Sequence, residues 1–481
     1  SKYSNERVGS KFNDPSWYTR DPQLLKDTAS LSFNRALGSK STLEAAGNAI
    51  NLGSYAFSVP GIMAIATIPA VGFSANPSSA INIAAKNYYS FIRHANSGHS
   101  NYDSPDLMLY LMAMDSIYSY IAFLQRIYGV AHTYSQVNRY VGDGFMQAMR
   151  VDPNSIRSNL ADFRAYINML ITKASAFVVP SDMPIFLRHM WMYSGIYKDE
   201  DGSKAQTYMY VPMGVFKYVE NAGTPGYLTM RNIIGNPTLV NGEWTMYNTI
   251  TYGDLRTFGD DLISALVASE DFAIMSGDIL KAHGDAVWRM GLIPEDYTCV
   301  PVYSEEVLDQ IHNTTFVGSY PVSGSSVSTL SPSLASLAIT QDATSNDPHL
   351  IYMPRFKGAL ETGYSRFLDM DDESPSPDRV IVATRNMVCG TLRHHNDDVY
   401  SYLDNFGSDI CLFGYILTLG SDGLFGVTKY HTSYLTETFS DTKYFHRAPL
   451  DYIFTPFVET GEFPNLMNVV GELNNYTIVN K

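Results

Sequence analysis

Three groupings in this chain have the residue types and spacing of chemical sites. The first is Gly259-Asp260-Asp261, a glycine followed by two adjacent carboxylates. On a β-hairpin such a pair holds the metal ions of nucleotide polymerases, and the ions carry the phosphoryl chemistry. The residues that follow, LISALVASEDF, have helical rather than hairpin character. At a helix N-terminus two carboxylates simply complement the dipole, so Asp260 and Asp261 are expected to open a helix over 260–282. The second grouping is His394-His395 with Asp397 and Asp398, the donor set of a metal hydrolase. Successive side chains diverge, so a solvated loop is the simpler expectation. The third is Asp369, Asp371, Asp372 and Glu373, which could attract Ca²⁺ but lacks the glycine and closing glutamate of a helix–loop–helix calcium site. No phosphate-binding glycine loop and no G-x-S-x-G elbow occurs. We therefore assign no catalytic, cofactor or metal residue, and no cofactor. The metal-enzyme alternative rests on Asp260 and Asp261, or on His394 and His395.

Cys299, Cys389 and Cys411 are odd in number and far apart, which gives no disulfide framework and makes a reducing compartment the default. Asn313-Thr314-Thr315 and Asn475-Tyr476-Thr477 match glycosylation sequons, the one feature besides low charge that supports a secreted surface or adhesion protein. No apolar signal core is present in 1–10.

The elements that must position these residues belong to a chain of 481 residues with only 17% charged residues. Tyr (34), Met (20) and an excess of Arg (19) over Lys (14) match the composition of buried interfaces. Net charge is −15, yet residues 1–40 carry seven Lys and Arg against four acids and are +3, leaving the body at −18. A body so acidic is a poor general binder of nucleic acid, and any such contact falls to the N-terminal arm.

The organising stretch is 100–128. Asp103 or Ser104 caps it, Pro105 suits the first helical position, and Gly129 is placed to end it. Apolar residues occur on every face, the mark of a buried helix. Asp115, mid-span and flanked by Ser116 and Ser119, argues against a bilayer span. A buried Asp115 must be paired with a donor such as an arginine. Residues 45–85 carry no charge, and Pro60, Gly61 and Pro69 break any helix there, so an extended segment threaded through a core or across a neighbour is expected. Helices are expected over 81–94, 136–149, 155–174 and 184–194, then again over 260–282 and 304–311. Residues 207–252 are β-rich. Further β-like runs fall at 349–353, 380–389, 410–419, 425–431 and 452–457.

Three strings carry a family resemblance: ANSGHSNYDSPDLMLYLMAMDSIYSYIAF, VDPNSIRSNLADFRAYINML and MPIFLRHMWMYSGIYKDEDGSKAQTYMYVPMGVFKY, with VPGIMAIATIPAVG before them. Over 59–220 the chain resembles the capsid proteins of picobirnaviruses. The resemblance implies an α+β coat protein: a predominantly α-helical shell domain with a β-rich insertion forming a projection. Together with the sequence pattern, the expected division is an N-terminal arm (1–50), a helical shell block (51–200), the β-rich insertion (201–253), a helical return to the shell (254–313) and a mixed, β-rich C-terminal region (314–481). The resemblance further implies a non-enzymatic protein of the virion, assembled in the host cytoplasm as two-fold dimers that close an icosahedral shell. The implied partners are other copies of the chain and packaged double-stranded RNA, contacted weakly and mainly through the arm. The viral polymerase and a membrane met during infection are further partners it allows. Self-cleavage of a precursor is a trait of the family, and no residue here maps onto that chemistry.

Overall fold

The computed structural model describes residues 40–42, 56–58, 62–98, 101–134, 139–198, 207–221, 223–233, 238–240, 243–245, 250–314, 337–344, 346–357, 374, 376–395, 398–419, 425–431 and 476. The fold is mixed α+β. Among the described residues the helices are α1 (Ala80–Ala95), α2 (Ser104–Thr133), α3 (Arg139–Ala148), α4 (Pro153–Ser158), α5 (Leu160–Ala174), α6 (Pro184–Ser194), α7 (Tyr252–Val267), α8 (Glu270–His283), α9 (Glu305–His312) and α10 (Pro377–Ala383).

Helix α2 is the axis of the molecule. Asp103 caps it, and the Asp106 carboxylate accepts from the Asp103 backbone N–H. Every residue from Leu107 to Ala131 is buried. It is long and apolar enough to cross a membrane, and its apolar span lies inside the fold. Helices α1, α5 and α6 pack around it. Gly129 does not end the helix, which runs on to Thr133. Glycine is required there for a different reason: a Cβ would sit 2.9 Å from Cys299 Cβ and 3.0 Å from the Cys299 backbone nitrogen.

The main sheet is built from strands far apart in sequence. We label the principal strands β1 (Ile62–Pro69), β2 (Tyr197–Lys198), β3 (Thr207–Pro212), β4 (Gly214–Val219), β5 (Tyr227–Asn232), β6 (Val302–Tyr303), β7 (Val388–His395), β8 (Asp398–Asn405), β9 (Asp409–Leu419) and β10 (Phe425–His431). The six-stranded sheet has the order β6-β2-β3-β1-β9-β10. Strand β1 runs parallel to β3 and antiparallel to β9. Both β1 and β3 are buried along their whole length. A central strand covered on both faces reads as an unbroken apolar run rather than an alternating one. Residues 62–69 of the uncharged 45–85 stretch are therefore extended and threaded through a core, the chain's own sheet, and from Ala80 the stretch opens α1.

Strand β3, the first of the 201–253 segment, lies inside the main sheet. Strand β4 pairs with β5 and packs on α2, where Ser116 Oγ accepts from the Phe216 backbone N–H at 3.1 Å. Later in that segment, Thr238–Val240 and Glu243–Thr245 form a two-stranded sheet of their own.

Three further boundaries differ from the sequence expectation, each for a local reason. The helix expected over 155–174 is two helices, α4 and α5, parted at Asn159. The run 380–389, expected as a strand, begins as helix α10, because Ser376 Oγ accepts from the Arg379 backbone N–H and Pro377 holds the first helical position. The helix expected to start at Asp260 starts at Tyr252, where Thr251 and Asp254 form a capping box, and it breaks after Val267 before α8. The run 452–457 and the acidic cluster at 369–373 lie outside the described residues.

Candidate functional site

Gly259, Asp260 and Asp261 lie in the interior of α7, so the expectation of a helix N-terminus fails in position. The Thr251-x-x-Asp254 box was the start signal. Asp261 bonds to Lys217 Nζ at 2.6 Å and to Arg231 at 3.3 Å, which fastens α7 to the β4–β5 pair. Asp260 accepts from the Tyr166 hydroxyl at 3.3 Å. Gly259 is a packing residue: a Cβ would run into the Tyr166 hydroxyl and lie 3.0 Å from the Tyr120 ring. This is a close helix contact, not a hairpin turn that presents carboxylates to metal.

His394 and His395 end strand β7, opposite Val399 and Asp398 of β8. Asn313 is fully buried at the end of α9 and donates to the Asp309 carbonyl at 2.9 Å, which removes it as a glycan acceptor. Asn475 lies outside the described residues.

The concentrated chemistry is in the core. Asp115 comes from the middle of α2, His189 from α6 and Asp409 from the first position of β9. All three are buried, and the side chain of none exceeds 3% exposure. His189 Nδ1 lies 2.6 Å from Asp115 Oδ2, and Nε2 lies 2.9 Å from Asp409 Oδ2. Tyr193 donates to Asp409 Oδ1 at 2.7 Å and exchanges a bond with Thr67 of β1 at 2.9 Å. Ser408 Oγ donates to Asp409 Oδ2 at 2.6 Å, and Arg188 Nε donates to Ser408 Oγ at 3.0 Å. Asp115 Oδ1 accepts nothing from the described residues.

The charges follow from this geometry. Burial alone would push the His189 imidazole down, but the two carboxylates outweigh it and raise it to about 10. Burial would push Asp409 up, yet His189, Ser408 and Tyr193 together hold it below the usual carboxylate range. Asp115 is raised, because burial exceeds the pull of its single partner and Asp409 adds repulsion.

The expectation that Asp115 is buried and paired holds, but the partner is a histidine rather than an arginine. A fully buried arginine of the core, Arg126, instead donates to the carbonyls of Tyr210, Gly195 and Met192. His189 and Asp409 escaped sequence reasoning. The signal available was one polar pair in otherwise apolar runs: the lone histidine of IFLRHMWMYS and the aspartate that opens DICLFGYILTL.

Comparison with known proteins agrees with this architecture. Residues 17–436 match the family model for the picobirnavirus capsid protein. A capsid protein precursor of human picobirnavirus, from a strain named for Thailand, is 34% identical over 391 residues, spanning 78% of this chain and 68% of the precursor. A crystal structure of a picobirnavirus capsid superposes with a TM-score of 0.66 over 92% of this chain and 87% of that one, at 20% identity, a likeness of fold.

Proposed function

The chain belongs to the picobirnavirus capsid protein family, and from that premise we propose that its copies pair as two-fold dimers that close an icosahedral shell around double-stranded RNA. It is a structural coat protein of the virion. The observation that carries the reading is a family match running from residue 17 to residue 436, across both the helical block and the C-terminal strands.

Charge supports the division of labour. A body at −18 keeps packaged RNA at low affinity, and the +3 segment at 1–40 supplies the local contact. For the projection, the support is the separate two-strand sheet within 238–245, since β3 and β4 of the same segment belong to the body. Contact with the viral polymerase inside the shell, and with a host membrane during infection, belongs to the same proposal and rests on the family alone. The metal-enzyme alternative loses Asp261 to its two cation partners on β4 and β5.

The test is assembly. Purified protein, run on size exclusion at several salt levels and imaged by negative stain, is expected to give dimers and closed particles. A monomer at high concentration under all conditions overturns the proposal.

A further inference from the structure

The Asp115–His189–Asp409 cluster joins parts of the chain that are remote in sequence. It links the central helix, a second helix of the same block and the first residue of a C-terminal strand 220 positions away. Asp409 sits opposite Pro69 at the end of the β1–β9 ladder, so the cluster stands where that strand enters the sheet.

A neutral imidazole offers one donor and one acceptor, whereas an imidazolium offers two donors. Ionised carboxylates only accept. His189 has a carboxylate oxygen within hydrogen-bond distance of each ring nitrogen. Two carboxylates facing one imidazole are both satisfied when both nitrogens carry protons. An imidazole is also the more basic partner, about 6.5 against 3.9 for an aspartate in water.

We infer that His189 is an imidazolium throughout the neutral range, clamping α2 and β9 to α6 where an ordinary histidine would titrate, and that the clamp loses its cation only as pH rises into alkali. This is the reverse of the usual histidine switch, which charges and opens as pH falls through the neutral range.

The surroundings decide which group titrates first. From α2 comes Asp115; from β9, Asp409 and Cys411; from α6 itself, Tyr193 and Arg188; Tyr352 and Tyr476 complete the ring of titratable groups. Burial pushes all three phenols and the Cys411 thiol upward. None of them discharges before His189 as pH climbs. In acid, Asp115 takes a proton first, and the His189–Asp409 pair survives because Asp409 is held low.

The sign follows directly. A histidine whose affinity for protons is higher folded than unfolded adds stability that is complete below about pH 6.5. That stability is lost as pH rises through the folded value, about 10. The inference depends on the cluster alone and stands whether or not the chain assembles.

Solid-state ¹⁵N spectra of histidine-labelled protein between pH 5 and 9 test it. One histidine is expected to keep both ring nitrogens protonated throughout. His189→Gln assigns that signal. Asp115→Asn, which keeps the shape and removes one carboxylate, is the second variant. It should move the alkaline midpoint, read by hydrogen exchange over peptides 62–69 and 409–419, at least one pH unit toward neutral. That shift is a tenfold weaker hold on the proton. The inference is overturned if every histidine loses a ring proton between pH 5 and 8, if the carboxyl spectrum at pH 7 places the proton on Asp115, or if Asp115→Asn leaves the midpoint unmoved.

Discussion

Replacing Gly259 by alanine separates a packing role from a catalytic one. In an open helix, glycine to alanine gains about 1 kcal/mol. At Gly259 the new Cβ meets the Tyr166 hydroxyl, comes to 3.0 Å from Tyr120 Cε1 and 3.4 Å from Leu170 Cδ2. Neither ring is free to yield. Tyr166 donates to the Arg256 carbonyl at 2.8 Å and Tyr120 to the Leu255 carbonyl at 2.5 Å. Overpacking of this kind costs about 1–3 kcal/mol, and a displaced buried hydrogen bond about 1 kcal/mol more. Against the helix gain, a net loss of about 1–3 kcal/mol is expected. Gly277, in α8 with nothing within 4 Å of its Cβ position, is the internal control and should gain close to the full 1 kcal/mol on mutation to alanine. Thermal unfolding followed by intrinsic fluorescence reads both. The two variants should move the midpoint in opposite directions and lie a few degrees apart. Asp261→Asn gives up ion pairs of a carboxylate that is 35% exposed, which are worth under about 1 kcal/mol. The glycine should therefore matter more than the carboxylates, the reverse of what a metal-holding turn requires. A Gly259→Ala protein at least as stable as the native chain would refute the packing argument.

Three further outcomes are expected. Gly129→Ala places a Cβ against the backbone of Cys299, which cannot rotate away, and should lower the unfolding midpoint at least as much as Gly259→Ala. Cys299, buried and pushed up to about 11, and Cys411, pushed up further by burial beside Asp409, should resist iodoacetamide at pH 8 in the folded protein and react in denaturant, as mass spectrometry would show. Asp409 is held below its ordinary value, so its contribution is present above the unfolded value of about 3.9 and lost as pH falls through the folded one; Asp409→Asn should flatten the acid limb of a plot of midpoint against pH.

What the sequence could tell depended on how local the physics was. Helix α6 was legible from end to end, because Pro184 opens it and Gly195 follows it. Strand β10 was placed at its observed bounds, 425–431. The starts of α7 and α10 were misread because a cap decides them: Thr251 with Asp254, and Ser376 ahead of Pro377. The apolar runs beyond those caps suggested other boundaries. The glycines misled in a different way. Gly129 and Gly259 look like a helix stop and a catalytic turn, yet each answers to a residue more than 90 positions away in sequence. The candidate site was half legible. One buried aspartate in an apolar helix announces that a donor must exist, and nothing near it in sequence says the donor is His189. Asp409 was beyond reach, since its role exists only once β9 has paired with β1.

The tyrosine content changes meaning in the same light. An excess of Tyr and Met first suggested surface buried against other subunits. Tyr88, Tyr110, Tyr118, Tyr120, Tyr193, Tyr208, Tyr210 and Tyr352 are buried in the chain's own core. Tyrosine suits such a core because its ring fills volume while its hydroxyl reaches a distant acceptor. Tyr110 donates to the Val178 carbonyl, Tyr120 to that of Leu255 and Tyr128 to that of Glu295, so α2 is tied through its phenols to three separate stretches of chain. Each bond satisfies a carbonyl that apolar packing alone would leave costly to bury. A shell subunit built this way carries its rigidity within itself. The composition that hinted at partners is first of all the means by which one long helix holds a discontinuous fold together.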